Sequence, residues 1–288
     1  MLRMAKRWVG RKGPGEAEAT GKKLGAWVYK VSKKRRERCL ANLQLAFPEL
    51  SDSERDGLCQ RVFEHYGIVT ADFLNADRRT LEDVKGSMEV EGYHHMVEAL
   101  DLGRGVILIT GHFGNWERMS AYVSGLGHKL TVVARDTRNE RLNQMVNELR
   151  SKGGTEVIPR GNAARPILER LRKNEIVGIL PDQNSAEVFV PFFGHLCGTV
   201  LGPGVLSERT GAPVMPVYCV RIGTNQYRMT FEPPLTPAEW DGPKGSGMMV
   251  AIHRSLEARI RAHPEQWLWF HDRWRSARQR GYLTLPES

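Results

Sequence analysis

Apolar positions recur along the chain with two periods, and the switch between them marks the elements. From Gly21 onward, Leu24, Trp27, Val28 and Val31 fall at i, i+3, i+4 and i+7, one face of a helix. Lys22, Lys23, Lys30, Lys33 and Lys34 crowd the remainder, which makes this a basic amphipathic helix. Phe47-Pro48 closes the helical region, because proline restricts the residue before it and removes a donor. Ser51 with Glu54 three residues on is a capping box that opens the next helix, and Leu58, Val62 and Phe63 carry its apolar stripe toward Leu74. The middle of the chain then alternates short apolar runs with amphipathic stretches. Residues 105–110, 130–134, 155–158 and 175–180 read as strands, and residues 115–126, 139–152 and 163–173 as the helices between them. Near-continuous apolar strands alternating with helices predict an α/β fold, a largely parallel central sheet flanked by helices. Residues 214–221 and 226–231, joined through Gly223-Thr224-Asn225, predict a closing hairpin, and residues 247–263 a final helix. We find no internal repeat or low-complexity tract, and divide the chain into a leader, residues 1–38, and one domain, residues 39–288.

Composition narrows the class. The 288 residues are 41% hydrophobic and 26% charged, enough to bury a core. Cys39, Cys59, Cys197 and Cys219 have no CxxC spacing, which argues against a zinc ribbon or disulfide scaffold and fits a reduced compartment. No run approaches the ~18 apolar residues of a spanning helix. The net charge is +9, but residues 1–38 hold +10 and the rest −1. A nucleic acid gripped in a broad cleft calls for a basic body, so no nucleic-acid partner is expected; the leader suits an anionic membrane surface or, equally, a helix packed on the body with a solvated cationic face.

The chemistry concentrates in Gly111-His112-Phe113-Gly114-Asn115-Trp116-Glu117, between the strand GVILIT and the next helix. Open α/β sheets bind their ligands beyond the carboxyl ends of strands. On one continuous helix, residues five apart lie about 140° from each other and do not meet. With His112 in the turn and Glu117 in the first helical turn, the glycines allow the imidazole to fold back onto the carboxylate. Glu117 then accepts the proton of one ring nitrogen, while the other removes a proton from a substrate hydroxyl. His195-x-Cys197 offers a Cys/His nucleophile but no orienting acid nearby. Read bare, His112 equally suits a helix cap, Asp182 a turn residue after Pro181, and Arg135 a surface ion pair.

GHFGNWE resembles the His-x4-Glu/Asp motif of the bacterial lipid A biosynthesis (lauroyl/myristoyl, or late) acyltransferases. Further blocks follow in that family's order. Asn42-Leu43, Phe47-Pro48, Ser51 and Glu54-Arg55 are similar to its "NL…FP…S…ER". Asp182-Gln183 with Val190-Pro191-Phe192-Phe193-Gly194 looks like its "DQ…VPFFG", and Thr210-Gly211-Ala212-Pro213 with Pro216 like its "TGAPVxP". Pro264-Glu265-Gln266-Trp267-Leu268-Trp269, His271 and Arg273-Trp274 resemble its closing "PEQWLWxHxRW".

The resemblance implies a glycerolipid-acyltransferase-like fold and transfer of a fatty acyl group from a thioester to a hydroxyl of a lipid A precursor. The implied donor is an acyl carrier protein or coenzyme A thioester, and the acceptor a membrane lipid. Another membrane glycolipid or a phospholipid precursor is the alternative acceptor, and a non-catalytic lipid- or nucleic-acid-binding protein the alternative class. Carried over by position, His112 is the general base and Glu117 its partner; Arg135 and Asp182 match further family residues. Arg135 and Arg165 are candidates for a substrate phosphate, and the backbone N–H groups of Gly111, Gly114 and Asn115 for the oxyanion. A thioester is already activated, so neither cofactor nor metal is called for, and attack by the acceptor hydroxyl implies no acyl-enzyme. Many family members begin with a hydrophobic anchor; here the basic helix implies peripheral or weak attachment at the cytoplasmic face of the inner membrane.

Overall fold

The computed structural model describes residues 13–134, 139–159, 161 and 163–283. Its centre is a seven-stranded sheet in the order β1-β9-β8-β2-β5-β3-β4. These strands are β1 (Met88–Glu91), β2 (Val106–Ile109), β3 (Leu130–Ala134), β4 (Thr155–Pro159), β5 (Ile176–Ile179), β8 (Val214–Gly223) and β9 (Gln226–Phe231). Five strands, β8-β2-β5-β3-β4, run parallel, and β9 turns back on β8 as the expected hairpin. β1 adds itself to the outer edge parallel to β9, which the sequence reading missed because MEVE alternates with charges over only four residues. A second missed pair, β6 (Val188–Phe192) and β7 (His195–Thr199), forms a separate hairpin. Its two-residue turn is Phe193-Gly194, both left-handed (φ 52° and 75°), the geometry that tight hairpins favour.

Helices cover both sides, and the period of two along β2 shows why. Ile107 and Ile109 point into one core, Val106 and Leu108 into the other. The first core is roofed by α1 (Pro14–Val31), α2 (Lys33–Ala46), α3 (Asp52–Leu74) and α10 (Ser246–Ala262), with Trp267, Trp269 and Trp274 fully buried among them. The second is covered by α5 (Tyr93–Asp101) and α6 (Trp116–Gly125), which supply Met96, Ala99, Met119 and Val123. Between these lie α4 (Leu81–Gly86), α7 (Glu140–Lys152), α8 (Ala164–Arg172) and α9 (Gly202–Thr210), with α11 (Arg275–Gln279) near the end. The Ser51/Glu54 capping box closes in both directions at the start of α3.

α1 meets α3 through glycines. A Cβ at Gly25 would stand 2.1 Å from the Phe63 carbonyl oxygen, and one at Gly67 2.1 Å from that of Gly21, so the two backbones touch. This inward face of Ala17, Gly21 and Gly25 splits the apolar stripe read from the sequence. Val28 turns toward the core, while Leu24, Trp27 and Val31 stay 48%, 59% and 57% exposed. Small residues hide from hydrophobic periodicity, so the packed face was invisible in it. Among the described residues, no helix is long and apolar enough to cross a membrane.

Candidate active site

β2 and β5 are neighbours, with Ile109 opposite Ile179. Three residues beyond each, His112 and Asp182 therefore meet above the carboxyl ends of the strands. Asp182 Oδ1 lies 2.8 Å from His112 Nδ1, and Oδ2 accepts the His112 backbone N–H at 2.7 Å and the Trp267 indole N–H at 2.9 Å. Asp182 is buried; the His112 side chain is 23% exposed and lines a cleft. Burial works against charging the imidazole, but the Asp182 charge and hydrogen bond, with a smaller push from Glu117, outweigh it and raise the pKa of His112. Burial alone would raise Asp182; the His112 charge and the converging N–H donors instead hold it well below the usual carboxylate range. With Nδ1–H committed to Asp182, Nε2 is the acceptor of the neutral ring, and the Gln183 amide N–H reaches it at 3.4 Å.

This differs from the expected contact of His112. The carboxylate on the imidazole is Asp182, seventy residues along the chain, rather than Glu117. Glu117 sits in the first turn of α6 and is held elsewhere: Arg150 of α7 grips it with two bonds (3.0 and 2.6 Å), and the Trp116 indole donates to it at 3.0 Å. A fork of guanidinium donors matches a carboxylate better than a single imidazole N–H does. Glu117 and Arg150 both line the same cleft as His112.

Of the turn's backbone, two of the three expected donors, Gly114 and Asn115, are spent differently from expectation. Its N–H groups at His112, Gly114 and Asn115 donate to Asp182 Oδ2, the Gln266 carbonyl and the Cys219 carbonyl. They are thus not free for an oxyanion. The Asn115 side chain caps α6 through the Arg118 N–H (3.0 Å) and donates to Asp72 (2.8 Å), so it does not reach substrate. Gly114 is required by geometry: its φ is +58°, and a Cβ would stand 2.0 Å from the Cys219 carbonyl oxygen. Gly111 is tight for another reason, since a Cβ there would lie 3.2 Å from Asp182 Oδ2. On the α3 side, the Tyr66 hydroxyl donates to the His112 carbonyl and His65 Nε2 meets the Gly114 carbonyl at 3.2 Å. The turn is clamped from both flanks.

Of the remaining candidates, Arg165 is 91% exposed on α8, paired with Glu169, and does not reach the cleft. Arg135 lies outside the described residues. Cys197 is buried, its thiol pushed up to about 11 chiefly by burial, and it accepts from Arg273 at 2.9 Å, which suits no nucleophile. Among the described residues, no group of three or more His, Cys, Asp or Glu side chains could hold a metal ion.

The cleft has a volume of about 910 Å³, at the upper end of the ~300–1,000 Å³ common for small-molecule sites. Its walls are mostly apolar, with Val132, Ile167, Ile179 and Leu206 among them, and its polar lining includes His112, Glu117, Arg150 and Gln183. Gln183, Arg150 and Trp267 were not singled out as site residues from sequence. Gln183 had a signal, since it follows Asp182 directly; Arg150 had none, being one of several charges on an amphipathic helix.

Comparison with known proteins follows the same line. Residues 11–276 match the family described as bacterial lipid A biosynthesis acyltransferase. A lipid A biosynthesis acyltransferase of Haemophilus influenzae is 26% identical over 251 residues, covering 86% of this chain and 78% of the relative. The lipid A biosynthesis palmitoleoyltransferase of Escherichia coli is 28% identical over 261 residues, covering 89% and 84%. A phosphatidylinositol mannoside acyltransferase of Mycobacterium tuberculosis is 30% identical over 195 residues, covering 64% and 59%.

Proposed function

The chain belongs to the bacterial lipid A biosynthesis acyltransferase family and is an acyltransferase, and from that premise we propose that it moves a fatty acyl group from a thioester to a hydroxyl of a membrane glycolipid, a lipid A precursor first among them. The observation that carries the mechanism is the His112–Asp182 contact at the mouth of an apolar cleft. Asp182 holds the imidazole with Nδ1–H inward. Nε2 takes the proton of the acceptor hydroxyl as its oxygen attacks the thioester carbonyl. The tetrahedral intermediate collapses, the C–S bond breaks, and the imidazolium returns its proton to the departing thiolate. No acyl-enzyme forms. The Gln183 amide beside Nε2 donates to the oxyanion, taking the role expected of the turn's backbone. Glu117 and Arg150 fix each other on the cleft wall, with Arg150 turned to the polar head of a substrate. The apolar walls take the acyl chain, and acyl carrier protein or coenzyme A supplies it. Residues 39–288 form the catalytic unit, of glycerolipid-acyltransferase type.

The acceptor resides in a bilayer, and residues 1–38 are the part that meets it, peripherally, at the cytoplasmic face of the inner membrane. Leu24, Trp27 and Val31 make one exposed apolar stripe on α1, bordered by Lys23 and Lys30. Aligned exposed apolar side chains edged by cations match an interface whose interior is hydrocarbon and whose headgroups are anionic.

The test is acyl transfer by the purified protein from a labelled thioester to lipid A precursors and to mannosylated phosphatidylinositol. His112→Ala should lower kcat by ~10²–10⁴ with the fold intact. Incubation with labelled donor alone should leave denatured protein unlabelled. Normal turnover by His112→Ala, or stable label on the protein, would overturn the mechanism.

A further inference from the structure

The closing segment of the chain runs between α3 and the site, with Phe270 packed against Phe63 and Tyr66 of α3. After α10, Pro264–Gln266 make a single 3₁₀ turn that throws the chain against the βα turn carrying His112. There Phe113 and Trp267 form an isolated antiparallel bridge, with the Gly114 N–H on the Gln266 carbonyl at 2.9 Å. The Gln266 side chain locks the segment onto β8 by bonding the Arg221 N–H and carbonyl, each at 2.9 Å. Packed edge-on against Phe192 and Trp269, the Trp267 ring is 1% exposed and held in its orientation from two sides. In that orientation its only polar atom meets Asp182 Oδ2. The sequence reading took Trp267 as core packing, and its ring does pack; its N–H is the part that packing does not explain.

We propose that Trp267 is a positioning residue for acyl transfer, its indole N–H fixing the plane and basicity of the Asp182 carboxylate that orients His112. A carboxylate bound only by His112 could rotate about its terminal torsion. With Oδ2 shared between the His112 backbone N–H and the indole, and Oδ1 left to Nδ1, each oxygen has one assignment. The indole also draws charge from the carboxylate and so moderates its pull on the imidazole proton. A carboxylate that pulls harder makes a more stable imidazolium and leaves less neutral base.

The site has few other titrating groups to confuse the measurement. Asp182, Glu117 and Arg150 face His112, with His271 farther off. Besides His112, the groups acting on or sensing Asp182 are His271, His253, Tyr66 and Tyr218. His253 and His271 are pressed down to about 3 and about 4, first by burial, so they stay neutral across the working range. Burial first, then Asp182, raises Tyr66 well above it.

The inference rests on the His112–Asp182 reading, and Trp267→Phe tests it by keeping an aromatic ring without the N–H. Expected are a ~10-fold loss of kcat, KM for donor and acceptor within about twofold, and an acid limb of the kcat profile moved to higher pH by less than about one unit. A merely structural role would lower kcat and leave the limb in place; that result, or unchanged kcat, overturns the proposal. If Trp267→Phe does not fold, the indole ¹H–¹⁵N resonances of the otherwise intact enzyme serve instead, with Trp116→Phe removing the other indole near His112. One remaining indole should titrate between about pH 5 and 9 with the midpoint of the His112 ring and lose that response in Asp182→Asn. No titrating indole overturns the proposal. Because this readout needs no substrate, it separates a failed role for Trp267 from a failed choice of donor or acceptor.

Discussion

Asp182→Asn is the sharpest perturbation of this site, because it changes one atom and almost no volume. The native carboxylate accepts at both oxygens: two N–H groups at Oδ2 and the imidazole Nδ1–H at Oδ1. An amide has one acceptor oxygen and one NH₂. Turned toward the two fixed donors, the amide oxygen satisfies both and puts its NH₂ against Nδ1. Nδ1 must then accept, the ring proton moves to Nε2, and the base has no lone pair for the acceptor hydroxyl. The opposite flip keeps the tautomer but sets an NH₂ against the backbone N–H and the indole, two buried donor clashes, so it is disfavoured. Loss of the correct tautomer in a His–carboxylate pair costs ~10⁴ in kcat, which corresponds to about 5.4 kcal/mol of activation free energy. The assay is steady-state transfer from an acyl thioester, with kcat and KM measured separately and circular dichroism confirming the fold. KM should hardly move, since Asp182 is buried behind His112 and does not touch the acceptor. Glu117→Gln is the internal control: it keeps an oxygen for Arg150 and should cost no more than ~10-fold. If Asp182→Asn retains kcat within a few-fold while Glu117→Gln loses 10⁴, the assignment of the orienting carboxylate is wrong.

Two further outcomes follow from the same structure. The base must be neutral to act and its folded pKa lies above the ordinary ~6.5, so kcat should climb as pH rises through that raised value and fall away below it; full turnover at pH ~5 would contradict this. On vesicles containing anionic lipid, sedimentation should show binding that weakens as salt rises and weakens again in Trp27→Ala, each nearby cation contributing ~1 kcal/mol; equal binding to neutral vesicles would remove the proposed docking face.

What the sequence conveyed and what it withheld divide along physical lines. Local signals came through. The Ser51/Glu54 box, the helix after Asn115 and the β8–β9 hairpin depend on residues a few positions apart, and each formed where expected. Neighbourhood in the sheet did not come through, because β3 and β4 intervene in the chain between β2 and β5 while lying to one side of them in space. That one fact puts Asp182, close in register, against His112 in place of Glu117, close in sequence. That the Gly114 and Asn115 N–H groups are taken by other carbonyls went unseen for a related reason: a donor list cannot show which donors the fold has already used. Arg150 illustrates the limit in reverse, a residue without any local mark that becomes important once α7 lies beside α6.

The order in which the site is assembled has a consequence for biosynthesis of the enzyme itself. His112 waits 70 residues for Asp182, and Asp182 a further 85 for Trp267. Non-local pairings of this kind form late, after loop closure has been met. A nascent chain that has cleared the ribosome only as far as residue 260 therefore lacks the Trp267 donor to Asp182, the Gln266 carbonyl for the Gly114 N–H, and the three tryptophans buried in the first core. Fragments ending short of this point, from premature termination or proteolytic clipping of the last segment, lose the donor that meets Asp182 and part of the core beneath it in one cut.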